Sequence, residues 1–262
     1  MEHIHTDQWL AHRFRPILVF SRQSSVPCTI EYLCQQFRLV DGKGQELSAP
    51  GTYTPDQIVS NPIWNRSDVQ LIPLKDWEDQ RSYDDIKTDS VYCAVTKIDE
   101  NHAMLQYFFL YPDNKGYHCA GFHWGDVERL TLVVDRLHIR ILRAFYAAHS
   151  NVQGQWVDPK NIEYSNYRPI VYVAGGSNAS YPKQGCYPRI CCLFNDVVRS
   201  TNLSDVWEPT TVQLISEDAT PWITWKGKIG TASLPGRHNY WRKEPFNGKI
   251  TWWQRLFCCC TW

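Results

Sequence analysis

The sequence lacks several features, each of which would define a class of protein. It contains no run of 18 apolar residues, so no transmembrane helix is expected. Its 27 Lys and Arg are balanced by 27 Asp and Glu, and without a basic excess nucleic acid is not expected as a partner. The first 30 residues do not combine a basic start with an apolar core, so the sequence predicts a cytoplasmic protein rather than a secreted one.

Motifs for metals and cofactors are also missing. The ten cysteines are either isolated or directly adjacent, whereas structural zinc sites use C-x-x-C pairs. Without an export signal, the cysteines are expected to be reduced thiols. The chain has no Rossmann fingerprint, no phosphate-binding loop and no cysteine–histidine motif. Nicotinamide, flavin and ATP chemistry are therefore not expected, and no cofactor is predicted.

What the sequence does contain is a series of short segments rich in β-branched and aromatic residues, separated by Pro, Gly and Asn. The predicted strands are Ile17–Phe20, Val91–Ile98, Met104–Tyr111, Arg129–Val134, His138–Ala147, Pro169–Ala174, Val212–Ile215 and Trp222–Trp225. Ile30, Leu33, Cys34 and Phe37 follow helical spacing after Thr29, which predicts one amphipathic helix. Residues 41–90 are rich in turn formers and predict loops with short elements.

This pattern predicts a mainly β fold, an antiparallel β-sandwich of jelly-roll type with a few short peripheral helices. No strand–helix alternation of the kind that implies a parallel sheet is visible. A chain of 262 residues fits one large β domain, so we expect a single domain over 1–262. Its last part, 244–262, forms an aromatic and cysteine-rich C-terminal tail.

The densest polar group lies directly before a predicted strand. Asp126 and Glu128 are two residues apart and would share one face, because side chains alternate along a strand. Together with His123 they could bind a hard cation weakly or serve as an acid/base set. The alternative is a solvated strand edge with a turn aspartate.

Two further segments place polar residues at strand ends. His149 follows Tyr146-Ala147-Ala148 and is either a structural or a proton-moving histidine. Ser177 and Asn178 lie in a tight turn after Pro169–Ala174. The turn matches neither the nucleophile elbow nor the phosphate-binding loop, so Ser177 is not predicted to be a nucleophile.

Taken together, these segments resemble the vacuolar protein sorting-associated protein 62 family of fungi, plants and bacteria. The resemblance runs in order through the segments 13–21, 26–32, 106–112, 123–128, 148–150, 169–182 and 222–230. Val127 stands where the family usually has Trp, and Asn178 where it usually has His. The second change removes an imidazole, so any activity that needs a third His is in doubt.

A more distant similarity links His123, Asp126 and Glu128 to the G-H-R-H-D-W-E motif of necrosis- and ethylene-inducing toxins. That motif lies on a β-sandwich at a divalent-cation site. This resemblance implies only where a site lies. If the protein is an enzyme, the catalytic residues are expected to be His123, Asp126, Glu128, His149 and Asn178. Substrate-binding residues are expected at Tyr107, Trp124, Ser177 and Tyr181.

The C-terminal tail combines Trp, basic residues and Cys258, Cys259 and Cys260. Such a combination suits palmitoylation and peripheral contact with an anionic membrane. The last four residues, Cys-Cys-Thr-Trp, do not match the prenylation motif, in which two aliphatic residues follow the cysteine. The alternative is a docked aromatic tail that covers a sheet edge.

Three functions remain open at this stage, the third being a purely structural scaffold, which predicts no enclosed pocket. The first is a cofactor-independent acid/base enzyme that isomerises, cyclises, dehydrates or hydrolyses an apolar small molecule, as in fungal secondary metabolism. The second is a non-enzymatic protein that binds lipid or glycan at membranes and is related to vacuolar sorting. An enclosed cavity reached by His123, His149 and Asn178 would favour the enzyme. An open groove lined by Trp and Lys would favour the binding protein.

Overall fold

A computed structural model describes residues 5–22, 24–74, 88–116, 122–148, 150–188, 195–199, 206–230 and 232–233. Three α-helices lie in this part of the chain: α1 (Asp7–Arg13), α2 (Ile30–Gln36) and α3 (Pro55–Ser60). Each begins after a threonine whose side chain accepts a backbone N–H of the first turn. Such caps satisfy donors that a short helix leaves unpaired. Within the described residues, no helix is both long and apolar enough to cross a membrane.

Strands dominate the rest of the described chain. They are β1 (Ile17–Phe20), β2 (Phe37–Val40), β3 (Glu46–Ser48), β4 (Gln70–Pro73), β5 (Ser90–Lys97), β6 (His102–Asn114), β7 (His123–Asp135), β8 (Arg140–Ala148), β9 (Ser150–Val157), β10 (Tyr164–Ser165), β11 (Arg168–Val173), β12 (Ser180–Tyr181), β13 (Gly185–Pro188), β14 (Asn195–Val198), β15 (Val206–Trp207), β16 (Thr211–Leu214), β17 (Lys228–Ile229) and β18 (Ala232–Ser233). Two 3₁₀-helical turns occupy Pro159–Asn161 and Pro221–Thr224.

The largest sheet has six strands in the order β16-β5-β6-β7-β8-β9. Its centre is the antiparallel pair β6 and β7, which runs from His102 opposite Asp135 to Asn114 opposite His123. Both strands are long and almost entirely buried, because apolar side chains occupy both faces. The pair therefore carries the polar residues at its far end into the interior.

Two five-stranded sheets and one hairpin complete the described structure. One sheet has the path β10-β11-β1-β15 with β12 on β11, the other the order β18-β17-β4-β2-β3, and β13 pairs with β14. Most pairs are antiparallel, but β1 with β11, β16 with β5, and β17 with β4 are parallel. The partners in each parallel pair are distant in sequence and are not joined by a single crossover helix. The sequence therefore lacks the strand–helix alternation that would have predicted parallel pairing.

One hydrophobic core joins the three larger sheets. It includes Leu105 and Phe109 of the six-stranded sheet, Leu18 and Val171 of the second, and Leu71 of the third, all fully buried. The sheets thus pack as the layers of a sandwich, which confirms the predicted mainly β fold with few short helices.

The predicted elements agree with the structure at most positions. The helix after Thr29 and the strands from Ile17 to Leu214 are present with shifts of a few residues at their ends. The prediction of a strand over Trp222–Trp225 is wrong. Pro221 instead begins a 3₁₀-helical turn, with Trp222 and Trp225 both buried. The tail over 244–262, including Cys258, Cys259 and Cys260, lies outside the described residues.

Candidate functional site

The site predicted from the sequence lies at the end of the long hairpin formed by β6 and β7. Asp113 pairs with Trp124, and Tyr111 pairs with Asp126. Here the two strands change from apolar to polar residues while remaining buried. Asp113 is completely buried and Asp126 is 6% exposed. Buried carboxylates require hydrogen bonds, and the structure supplies them.

A tight turn between β11 and β12 packs against this hairpin end. Its Gly176 has a φ of +81° and accepts a hydrogen bond from the backbone N–H of Gly116 at 3.0 Å. A Cβ on Gly176 would collide with the carbonyl oxygen of Gly116, so only glycine permits this approach. Asn178 also has a positive φ, of +55°, a conformation that asparagine tolerates better than most residues.

Asn178 connects the turn to two carboxylate residues. Its side-chain oxygen accepts the N–H of Ser25 at 3.0 Å, which fixes the orientation of the amide. Its Nδ2 then donates to the backbone oxygen of Asp113 at 2.8 Å and to Oδ2 of Asp126 at 3.2 Å. The hydroxyl of Ser25 donates to the carboxylate of Asp113. A neutral imidazole has one donor and one acceptor, so a histidine could not make all three contacts.

Asn114 plays a similar part from the other side. Its Nδ2 donates to Oδ2 of Asp126 at 2.9 Å and to the backbone oxygen of Ser177 at 3.0 Å. Its own oxygen accepts from Gly116 at 3.1 Å. The second oxygen of Asp126 accepts the N–H of Val127 at 2.9 Å. We call this arrangement the carboxylate cluster: Ser25, Asp113, Asn114, Asp126, Ser177 and Asn178.

A third buried carboxylate fixes the far side of the turn. Asp196, on β14, accepts the hydroxyl of Ser177 at 2.9 Å and the hydroxyl of Tyr181 at 2.6 Å. Ser177 and Tyr181 were both predicted to bind substrate. The structure brings them together through Asp196, with all three side chains buried.

The chemistry open to the carboxylate cluster follows from this bonding. Asp126 already accepts three hydrogen bonds, all from amide N–H groups. These donors occupy lone pairs that a cation would need. Among the described residues, no group of three or more His, Cys, Asp or Glu side chains could hold a metal ion. The described part of the cluster therefore does not fit the divalent cation that the toxin resemblance implies.

The other predicted site residues are placed as follows. Glu128 is buried on the same face of β7 as Asp126. His123 is half-buried, with Nδ1 2.8 Å from the backbone oxygen of Gly125. Trp124 packs against the core and the ring of Phe122. His149 lies outside the described residues.

Tyr107 is not part of the cluster. It lies six residues before Asp113 on β6, about 20 Å along the strand. Its hydroxyl donates to the backbone oxygen of Ala11 at 2.8 Å, and burial raises its pKa well above the ordinary value. Burial, with the nearby charge of Asp113, likewise raises the pKa of Cys28, so this thiol stays protonated.

Sequence reasoning missed four residues of this region: Ser25, Asp113, Asn114 and Asp196. A signal existed for two of them, because Asp113 and Asn114 closely follow the predicted strand Met104–Tyr111, the strand that precedes the polar segment at 123–128. Ser25 and Asp196 lie in segments with no distinguishing pattern. They reach the cluster only through long-range pairing.

A second polar region lies at the surface, between α1 and the hairpin of β10 and β11. It is an open groove of about 330 Å³, near the lower end of the ~300–1,000 Å³ typical of small-molecule sites. We call it the basic groove, lined by Trp9, His12, Arg13, Arg15, Asn166 and Arg168. None of these lining side chains is acidic. The sequence gave no indication of it, because its basic residues come from segments about 150 positions apart.

The fold and the cluster define a β-sandwich protein in which buried carboxylates anchor a polar turn. Residues 114–219 match the model of the family described as vacuolar protein sorting-associated protein 62. The match contains Asn114, Asp126, Ser177, Asn178 and Asp196, and it confirms over this segment the resemblance identified from the sequence.

Several solved structures are similar to the chain. A structure described as "NLPPya in complex with glucosamine" is 13% identical, with a TM-score of 0.49 over 92% of this chain and 90% of the other. One described as "Toxin fold for microbial attack and plant defense" is 15% identical, with a TM-score of 0.47 at the same coverage. The necrosis and ethylene inducing protein 2 from the agent of cocoa's witches' broom disease is 13% identical, with a TM-score of 0.44 over 91% and 92%. No curated protein matches the chain.

Proposed function

We propose that the protein is a binding protein, which recognises a polar lipid headgroup or glycan through the basic groove without converting it chemically. The observation that carries this proposal is the groove itself. It is open, it is lined by Trp9 and three arginines, and Trp9 is 39% exposed. Exposed Trp beside cationic side chains is typical of surfaces that bind polar ligands.

The catalytic alternative finds less support in the geometry. An acid/base enzyme of the kind expected from the sequence would use Asp126 to orient the histidine that moves the proton and Asn178 to hydrogen-bond the developing oxyanion, and these groups must lie beside the reacting atoms. Both side chains are buried, and each already makes three hydrogen bonds within the protein. A substrate would have to displace these bonds, which hold the turn in place. The carboxylate cluster is therefore better suited to a structural role.

Native mass spectrometry of the full chain purified from its source tests this proposal. We expect a retained polar ligand that remains chemically unchanged on prolonged incubation with the protein. Trp9→Ala should lose the ligand, whereas Leu137→Ala, a change at an exposed apolar residue outside the groove, should keep it. Conversion of the ligand by the native chain, abolished by Asp126→Asn in a protein that still unfolds cooperatively, would establish the enzyme instead.

A further inference from the structure

The basic groove contains more positive charge than the protein itself neutralises. Arg13, Arg15 and Arg168 line it, and among the described residues the only ion pair of these three is that of Arg168 with Glu208, at 2.9 Å. Three guanidinium charges against one carboxylate leave a net charge of about +2, since arginine stays protonated in proteins. Burial, followed by the nearby charge of Arg15, lowers the pKa of Arg168. An anion in the groove would relieve this repulsion.

The three arginines differ in how many donors they retain. Arg168 uses all three of its nitrogens, on the backbone oxygens of Arg15 and Pro16 and on Glu208. Arg15 donates from Nε to Pro209 at 2.8 Å and from Nη1 to the backbone oxygen of His12 at 2.7 Å. Among the described residues, nothing accepts a hydrogen bond from its Nη2.

His12 helps to hold Arg15 in position. Its Nδ1 lies 3.2 Å from Nη1 of Arg15, and its Nε2 lies 3.1 Å from the backbone oxygen of Thr210. A single neutral tautomer, with the proton on Nε2, satisfies both contacts. Arg15 is thus a positioned guanidinium with one amino group left to donate.

Arg13 is the arginine that is freest to bind a ligand. It makes no hydrogen bond or ion pair with any described residue, so its donors are available. Its guanidinium carbon lies 4.4 Å from the centre of the Tyr167 ring, a cation–π contact that holds the side chain at the groove. Such a contact orients the guanidinium without using its N–H groups.

Tyr167 is itself held in an unfavourable conformation. The turn between β10 and β11 consists of Asn166 and Tyr167, with φ of +51° and +66°, and glycine is the preferred residue at the second position of such a turn. A non-glycine residue there costs about 1–2 kcal/mol. The side chain does not recover this cost by burial, because it is 70% exposed. Strain kept at an exposed aromatic residue points to a role in binding.

From these observations we infer that the basic groove binds a phosphate monoester, with the phosphate on Arg13 and Arg15 and the rest of the ligand against Trp9. A phosphate monoester carries about −1.5 to −2 charge at neutral pH, which matches the net charge of the groove, whereas a carboxylate carries half of it. Guanidinium groups also match the geometry of phosphate oxygens. This inference rests on the proposed function and names the chemical class of its ligand.

The experiment separates a soluble source of the phosphate from a lipid one. The full chain is titrated calorimetrically with glucose 6-phosphate, glucose and inorganic phosphate. In parallel, it is sedimented with vesicles of phosphatidylcholine, a neutral lipid, to which either phosphatidic acid, a phosphomonoester, or phosphatidylglycerol, a phosphodiester, has been added. We expect binding of glucose 6-phosphate but not glucose if the source is soluble, and of phosphatidic acid over phosphatidylglycerol if it is lipid.

Variants connect the binding to the groove. Arg13→Gln should weaken binding of the preferred phosphomonoester about 10- to 100-fold, the range expected for loss of a charge-assisted hydrogen-bonding pair. Arg140→Gln removes the same charge from an exposed arginine outside the groove and should change affinity less than twofold. Tyr167→Gly should raise the melting temperature, because it removes the backbone strain at this position. It should also lower the affinity for the ligand, because it removes the ring that holds Arg13 by the cation–π contact.

Two results would overturn the inference. One is equal binding of the monoester and diester vesicles together with no binding of glucose 6-phosphate. The other is binding that Arg13→Gln leaves unchanged. If the native chain binds glucose through Trp9 but ignores every phosphate, the inference fails while the proposed function stands.

Discussion

Replacing Asn178 by alanine should destabilise the protein strongly, although the residue lies in a turn. The substitution removes three side-chain hydrogen bonds and takes these partners from the buried N–H of Ser25 and the carbonyl of Asp113, whereas Oδ2 of Asp126 keeps its hydrogen bond from Asn114. Each buried group left unsatisfied costs about 1–3 kcal/mol. Alanine also adopts a φ of +55° less readily than asparagine, at a cost of about 1 kcal/mol. We expect a total loss of about 3–7 kcal/mol.

Equilibrium unfolding in urea, followed by both tryptophan fluorescence and circular dichroism, measures this loss. Asn178→Gly should lose the same hydrogen bonds but recover about 1 kcal/mol of the backbone cost. Ser180→Ala is the matched control, because its buried hydroxyl has no hydrogen-bond partner in the described structure. It should not destabilise the protein, because the serine hydroxyl makes no hydrogen bond that alanine would lose. The explanation by hydrogen bonding is wrong if Asn178→Ala costs no more than Ser180→Ala.

Two further predictions concern the hairpin and its ends. Gly125→Ala should lower the free energy of unfolding by more than about 2 kcal/mol, because a Cβ would collide with the backbone of Ile229. Gly44→Ala, also at positive φ but in open space, should lower it by only about 1 kcal/mol. Similar losses in the two variants, measured by unfolding in urea, would contradict this. The backbone N–H of His138 is the main cause that lowers the pKa of Asp135 to about 2, below its unfolded value near ~3.9. The stability contributed by Asp135 should therefore be present above about pH 4 and decline as pH falls toward 2. Asp135→Asn should reduce the fall in melting temperature between about pH 4 and pH 2. If the variant's melting temperature falls as steeply with pH as that of the native protein, the assignment is wrong.

The sequence was informative where structure is local. The strand containing Gln106–Tyr111 and the helix after Thr29 follow from side-chain periodicity and capping, which depend only on near neighbours. Trp222–Trp225 has the composition of a strand, yet it has no paired neighbour and follows Pro221, so it forms a turn. Local propensity alone cannot distinguish the two outcomes.

The candidate site was predictable in part for the same reason. Asp126 and Asn178 could be placed at strand ends, and a family pattern connected them. Their burial and their hydrogen bonds, including those from Asn114, depend on how distant segments pack together, which local sequence does not show. The arginines of the basic groove offered no local motif, since Arg15 and Arg168 become neighbours only when β1 and β11 pair.

The parallel pairing of β1 with β11 has a consequence for the order in which the chain folds. Ile17 pairs with Ile170, and on its other side β1 pairs with β15, so both neighbours of this buried strand are made about 150 or more residues later. During synthesis, Leu18 and Phe20 cannot be buried in this sheet until most of the chain has left the ribosome. Such long-range contacts form only when a large loop closes, and they therefore reduce the folding rate. The apolar strand β1 therefore stays unpaired on the nascent chain for longer than a hairpin strand would, and binding by a chaperone would protect it from aggregation.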